Sequence, residues 1–161
     1  MDRSQVSSRC VRIQNADFDL TAEIAALRAQ DSRVGAVCSF VGTVRDVAPQ
    51  RITGMELEHY PGMTEKSIEA MIGEAQRRFD IFSARVIHRI GLLSPLDQIV
   101  LVAVSSAHRA ESFRACEFLI DYLKTQAPFW KKEQTPEGAH WVDARQSDAA
   151  AMARWNEPGS C

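Results

Sequence analysis

The sequence predicts an α+β fold in a single domain, and three observations carry that expectation. Segments of β-type alternation and segments of helical spacing follow one another without a regular βαβ period. The stretch Gln98-Ile-Val-Leu-Val-Ala-Val104 is apolar on both faces, as a central strand is. Neither repeats, low-complexity segments nor an internal linker divides the 161 residues, and a chain of that length buries roughly 68–70% of its unfolded surface without a metal or disulfide staple. The expected domain spans residues 1–161, a mixed or antiparallel sheet with packed helices.

In chain order, Cys10-Val-Arg-Ile-Gln14 alternates weakly and reads as a short strand; Asp19 or Thr21 then caps a helix with Leu20, Ile24 and Leu27 on one face. Val34, Ala36, Cys38, Phe40 and Val44 share the parity of a half-buried strand that Gly42 interrupts, the signature of a bulge. Met55–Tyr60 forms a second strand, and Thr64 is the expected N-cap of a helix with Ile68, Met71, Ile72, Ala75 and Phe79 at helical spacing. Ala84–Ile90 and Gln98–Val104 read as strands joined by a loop over 91–97. Ser105 or Ser106 caps a helix over 107–125 with Phe113, Cys116, Ile120 and Leu123 in the core, and Pro128 stops it. Two short strands flank the turn Thr135-Pro-Glu-Gly138, and the segment from Asp148 to Trp155 is helical.

Composition excludes several classes of function. With 45% hydrophobic and 25% charged residues and a formal net charge of -2, no global basic field invites nucleic acid. No apolar run approaches the roughly 20 residues of a membrane span, and Met1-Asp-Arg-Ser lacks the apolar region of a signal peptide, so the expected compartment is the cytoplasm. Cys10, Cys38, Cys116 and Cys161 are scattered with no C-x-x-C pair, which predicts free thiols rather than a metal site. Neither G-x-S-x-G nor G-x-x-x-x-G-K-[ST] occurs, which disfavours serine hydrolase and P-loop chemistry.

Two groups of residues can carry chemistry. Ser105-Ser-Ala-His-Arg109 lies where a buried strand meets a helix, so free amides and the positive end of the helix dipole sit beside His108 and Arg109, a natural anion site. An ordinary capped helix with a solvated His-Arg pair fits the same spacing. Lys124 lies in the last helical turn and Lys131 follows the Ala127-Pro128 reversal, so the chain can fold the second lysine back toward the first. Ammonium groups about 7 Å apart at an effective dielectric near 20 would repel by roughly 2.4 kcal/mol, which favours a neutral lysine able to accept a proton. The plainer alternative is a lysine that complements the helix C-terminus and a second on an exposed strand. Arg45, Arg89, Arg109 and Arg145 fall at predicted element ends from which they can reach one rim; Phe40, Phe129, Trp130 and Trp141 either stack on a heterocycle or pack in the core. His59, His88 and His140 lack ligand spacing and are read as structural or solvated.

The words Phe40-Val-Gly-Thr-Val-Arg-Asp46, Leu57-Glu-His-Tyr-Pro-Gly-Met63, Ile87-His-Arg-Ile-Gly91, Ser106-Ala-His-Arg109 and Asp121-Tyr-Leu-Lys-Thr-Gln-Ala-Pro-Phe-Trp-Lys131 closely resemble the large, catalytic subunit of molybdopterin synthase, in order from about Gly35 to Arg145. The resemblance implies a hammerhead-like α/β core with a small β subdomain. It also implies a cytoplasmic homodimer that becomes a heterotetramer by binding two copies of a small ubiquitin-like subunit. In that family the C-terminal Gly-Gly thiocarboxylate of the small subunit supplies sulfur to cyclic pyranopterin monophosphate, and the large subunit holds no metal and no other cofactor. Position by position, Lys124 and Lys131 match the family's essential lysines, while Phe40, Arg45, His108, Arg109 and Arg145 match its substrate pocket. The mechanism makes a geometric demand: Pro128 must turn the chain so that Lys131 faces Lys124 and the His108–Arg109 anion site.

Overall fold

The computed structural model describes residues 10–46, 53–142 and 146–156. In chain order they form β1 (Val11–Gln14), α1 (Leu20–Arg28), β2 (Ala36–Thr43), β3 (Gly54–His59), α2 (Met63–Arg78), β4 (Ser83–Arg89), β5 (Gly91–Leu93), β6 (Gln98–Ser106), α3 (Arg109–Thr125), β7 (Phe129–Thr135), β8 (Gly138–Val142) and α4 (Gln146–Ala153), with a 3₁₀ turn over Arg154–Asn156. One sheet has the order β1-β4-β6-β2, the other β5-β3-β7-β8. Among the described residues only the β1–β4 pairing is parallel. The α+β expectation holds, and the second, wholly antiparallel sheet is the small β unit.

Strand β6 organises the first sheet because both of its faces are apolar. Val100, Val102 and Val104 point to the cluster built with Ile68, Ile72, Ala75 and Phe79 of α2 and Ala115, Phe118 and Leu119 of α3. The alternate residues Leu101 and Ala103 point the other way, to Leu27 of α1, Phe18 and Ile87. Period-two alternation in β4 does the same: Ala84 and Val86 join the first cluster and Ile87 the second. His88 takes the side of Val86, and Arg85 the side of α1. Strand β2, at the sheet edge, is half-exposed along much of its length, and its register slips between Gly42 and Thr43, where the bulge was expected.

The α1 face carries a buried charge cluster. Glu23 and Arg85 are 4% and 2% exposed, and Arg85 Nη1 donates to Glu23 Oε2 at 2.7 Å. Arg12, one strand over on β1, donates through Nη2 to the other carboxylate oxygen. Asp19 caps α1, its side chain accepting from the Ala22 amide at 3.2 Å.

Four local expectations are corrected. The N-cap of α2 is Gly62, at φ 83°, not Thr64; Glu65 Oε2 accepts from the Gly62 amide at 2.6 Å, and Thr64 is buried inside the first turn. Ser105 and Ser106 end β6, and α3 starts from His108 without a side-chain cap. Phe113 is 61% exposed, because α3 buries Ser112, Ala115, Cys116, Phe118 and Leu119 instead. Gly91–Leu93, read as loop, pairs with β3 as a three-residue strand too short for a periodic signal. No helix among the described residues is long and apolar enough to cross a membrane.

Candidate active site

The reversal after α3 is built from few parts. Gln126 and Ala127 donate to the Tyr122 carbonyl at 2.8 and 3.3 Å, and the Phe129 amide donates to the Ala127 carbonyl at 2.8 Å, closing a three-residue turn around Pro128. The buried Thr64 hydroxyl donates to the Pro128 carbonyl at 3.0 Å and accepts from the Tyr60 amide at 2.9 Å, so the start of α2 holds the turn in place. The hydroxyl that suggested a helix cap is instead a clamp on this reversal.

Beyond the turn, β7 pairs with β3 so that Phe129 lies opposite His59, Lys131 opposite Leu57 and Glu133 opposite Met55. Directly paired residues share a sheet face, and Met55 and Leu57 are core residues at 4% exposure. Lys131 is therefore on the core-facing side of the second sheet, half-buried, while Trp130 and Lys132 alternate outward. Lys132 Nζ lies 5.5 Å from the centroid of the exposed Trp141 ring.

His88 closes the inner side of this region. Its ring stacks on Phe129 with centroids 3.8 Å apart and planes 16° from parallel. Its Nδ1 lies 2.8 Å from the Arg89 carbonyl oxygen, which can only accept, so Nδ1 carries the proton. Burial drives the His88 pKa down to about 4, and the positive charges of Lys124, Lys131 and His59 add to that depression. The ring is thus uncharged at neutral pH with Nε2 as a bare acceptor. The charges of Lys124, on α3, and Lys131, on β7, both bear on this one side chain. His59 Nε2 lies 3.5 Å from Glu65 Oε1.

This burial has a pH signature. The folded pKa lies below the ordinary 6.5, so the unfolded chain binds the proton first as pH falls. Stability from the neutral ring is complete above pH 6.5 and drains away between there and about pH 4, by an expected amount of about 3 kcal/mol. Urea unfolding at pH 7, 5.5 and 4.5 checks this, and the H88F variant should lose most of the slope in that window. Asp17 and Glu74, whose pKa values are lowered by hydrogen bonds from Gln98 and Arg78, lose their contributions at lower pH.

The other predicted residues divide by the ends of the sheet. Strand β6 runs from Gln98 to Ser106 and α3 returns antiparallel to it, so Lys124 lies at the Gln98 end. The β2–β6 register puts Thr43 opposite Gln98, which brings exposed Arg45 to that same end. Phe40, 36% exposed and opposite Val102, lies partway along the edge strand. A methyl on Gly42 would lie 2.8 Å from Val100 Cγ1 and 3.4 Å from the Phe40 ring, so glycine there lets that ring pack down. His108 and Arg109, both exposed, begin α3 at the far end. Sixteen residues of helix separate His108 from Lys124 by about 24 Å. Their surroundings are fixed by Gly35, whose amide donates to the Ser106 carbonyl at 3.0 Å and where any Cβ would stand 2.4 Å from the Ala107 oxygen. Arg145 lies outside the described residues.

One chain therefore sets Lys124 and Lys131 where both charges bear on His88 and keeps His108 and Arg109 at the other end of α3 from Lys124. The predicted helix over 107–125 already contained that separation. By contrast, the place of His88 in the lysine group depends on tertiary contacts between β4, α3 and β7.

The family model of the MoaE protein matches residues 13–126. The chain belongs to the MoaE family. Among its MoaE relatives, a molybdopterin synthase catalytic subunit from Ralstonia nicotianae is 62% identical over 146 residues, covering 90% of this chain and 83% of the relative. A molybdopterin biosynthesis MoaE protein from Burkholderia ambifaria superposes with a TM-score of 0.80 at 57% identity, covering 91% of this chain and 97% of the other. A molybdopterin synthase from Staphylococcus aureus superposes at 0.78 with 30% identity, covering 85% and 99%.

Proposed function

We propose that this MoaE chain is the catalytic subunit of a cytoplasmic molybdopterin synthase. It moves sulfur from the C-terminal Gly-Gly thiocarboxylate of a small partner subunit to cyclic pyranopterin monophosphate, forming the dithiolene of molybdopterin. What supports this reading most is the 62% identity to a named catalytic subunit, together with two lysines, Lys124 and Lys131, whose charges both bear on one buried, uncharged His88. An anionic sulfur donor and a phosphorylated acceptor repel one another in water, and two ammonium groups pair those charges in one place. A lysine beside the reacting carbonyl also supplies a proton to the oxygen on which charge develops.

The phosphate is assigned to His108 and Arg109, where an arginine and the amino end of α3 stabilise the opening of the cyclic phosphate. Arg45, Arg145 and Phe40 line the same pocket in this reading. Because about 24 Å of helix separates the two groups within one chain, a single pocket needs His108 and Arg109 from a second copy. In this reading the assembly is a homodimer in which each copy also binds a small subunit.

Mixed dimers test the whole arrangement. A dimer of one K124A copy and one R109A copy keeps one intact composite site and should retain a substantial share of wild-type sulfur transfer, whereas each variant alone should be nearly inactive. The assay follows product mass after incubation with thiocarboxylated partner and precursor. No product from the wild-type chain, with partner binding retained, would instead identify a docking module without catalysis.

A further inference from the structure

We propose that His88 is a positioning residue of the lysine site: by seating its ring against Phe129 it fixes the start of β7 and so sets where Lys131 stands relative to Lys124. This inference rests on the sulfur-transfer reading of the two lysines but is tested partly without it. The geometry has three parts. Phe129 is the first residue of β7 and shares a sheet face with Lys131 two positions on. Its ring lies flat on that of His88, with centroids 3.8 Å apart, so the stack spans from β4 of the first sheet to β7 of the second. The His88 ring is itself held, since Nδ1 donates to the Arg89 carbonyl at 2.8 Å and the residue is 8% exposed.

Chemistry explains a histidine here. Titratable groups bear on the ring from three elements, the two lysines Lys124 on α3 and Lys131 on β7, and His59 on β3. A third fixed positive charge among them would push the lysines apart; the imidazole supplies a flat surface for Phe129 and a donor for Arg89 while staying uncharged.

Two substitutions separate this role from mere packing. H88F keeps a flat ring on Phe129, and H88L fills similar space without one. Single-turnover sulfur transfer should stay within about threefold of wild type in H88F and fall at least about tenfold in H88L. The KM for the small subunit should change less than twofold in both. Peptide-resolved acetylation supplies a readout that needs no turnover. Lys131 should label at least about threefold faster in H88L than in wild type, as the start of β7 opens locally, with Lys132 unchanged as internal reference and H88F close to wild type.

Equal rates and equal Lys131 labelling in both variants would overturn the proposal, as would a loss in H88F matching that in H88L. Labelling that follows the expected order while wild type transfers no sulfur would uphold the positioning and refute the sulfur-transfer reading instead.

Discussion

Replacing Lys124 or Lys131 with alanine is expected to lower single-turnover sulfur transfer at least about 100-fold, since in the proposed mechanism each supplies a charge and a proton to the reacting atoms. Folding should survive both changes. Lys124 is exposed in the last turn of α3, and Lys131 is half-buried at a strand position where alanine fits. Arginine at either position distinguishes the two contributions, because a guanidinium keeps its charge but does not give up a proton near neutral pH. Recovery in K124R or K131R would identify that lysine as a charge clamp, and continued loss would identify it as the proton donor. The measurement is product mass against time with thiocarboxylated partner in excess. Turnover near the wild-type rate in both alanine variants would remove the lysines from the mechanism.

The second large effect concerns folding. E23A removes the carboxylate shared by Arg12 and Arg85, leaving the Arg85 guanidinium in a site 2% exposed without that counter-charge. Breaking a buried pair from one side costs about 3–5 kcal/mol, a large part of the 5–15 kcal/mol typical of a domain. Urea unfolding at pH 7 should show the midpoint fall sharply while the slope stays constant. E23Q, whose single amide oxygen can accept from only one of the two arginines while its NH2 meets the other, should also lose stability. A loss under about 1 kcal/mol in E23A would mean that water solvates Arg85 when the carboxylate is gone. The lysine site lies on the opposite face of the first sheet, so the remaining folded E23A protein should keep its sulfur-transfer rate.

Much of this architecture is legible in the residues because its causes are local. The bulge at Gly42, the apolar faces of β6, the cap at Asp19 and the helix stop before Pro128 each depend on a few neighbouring side chains and on fixed backbone periods. The family words around Lys124 and Lys131 are equally local, and through them the proposed site includes lysines that spacing alone leaves as ordinary surface charges.

Tertiary structure decided what depends on residues far apart in the chain. Thr64 looks like a cap from its neighbours, but its hydroxyl is taken by the Pro128 carbonyl, 64 positions away. Phe113 has helical spacing suited to a core, yet the sheet beneath α3 meets a neighbouring stripe of that helix. Glu23 finds Arg85 across 62 positions. His88, which its spacing leaves as a structural or solvated histidine, becomes an uncharged, stacked ring because β4 and β7 bring it onto Phe129. Sequence by itself determined the periods, the turns and the family; packing determined which polar side chains lost their water, and desolvation is what keeps the His88 ring uncharged and makes the buried Glu23–Arg85 pair costly to break.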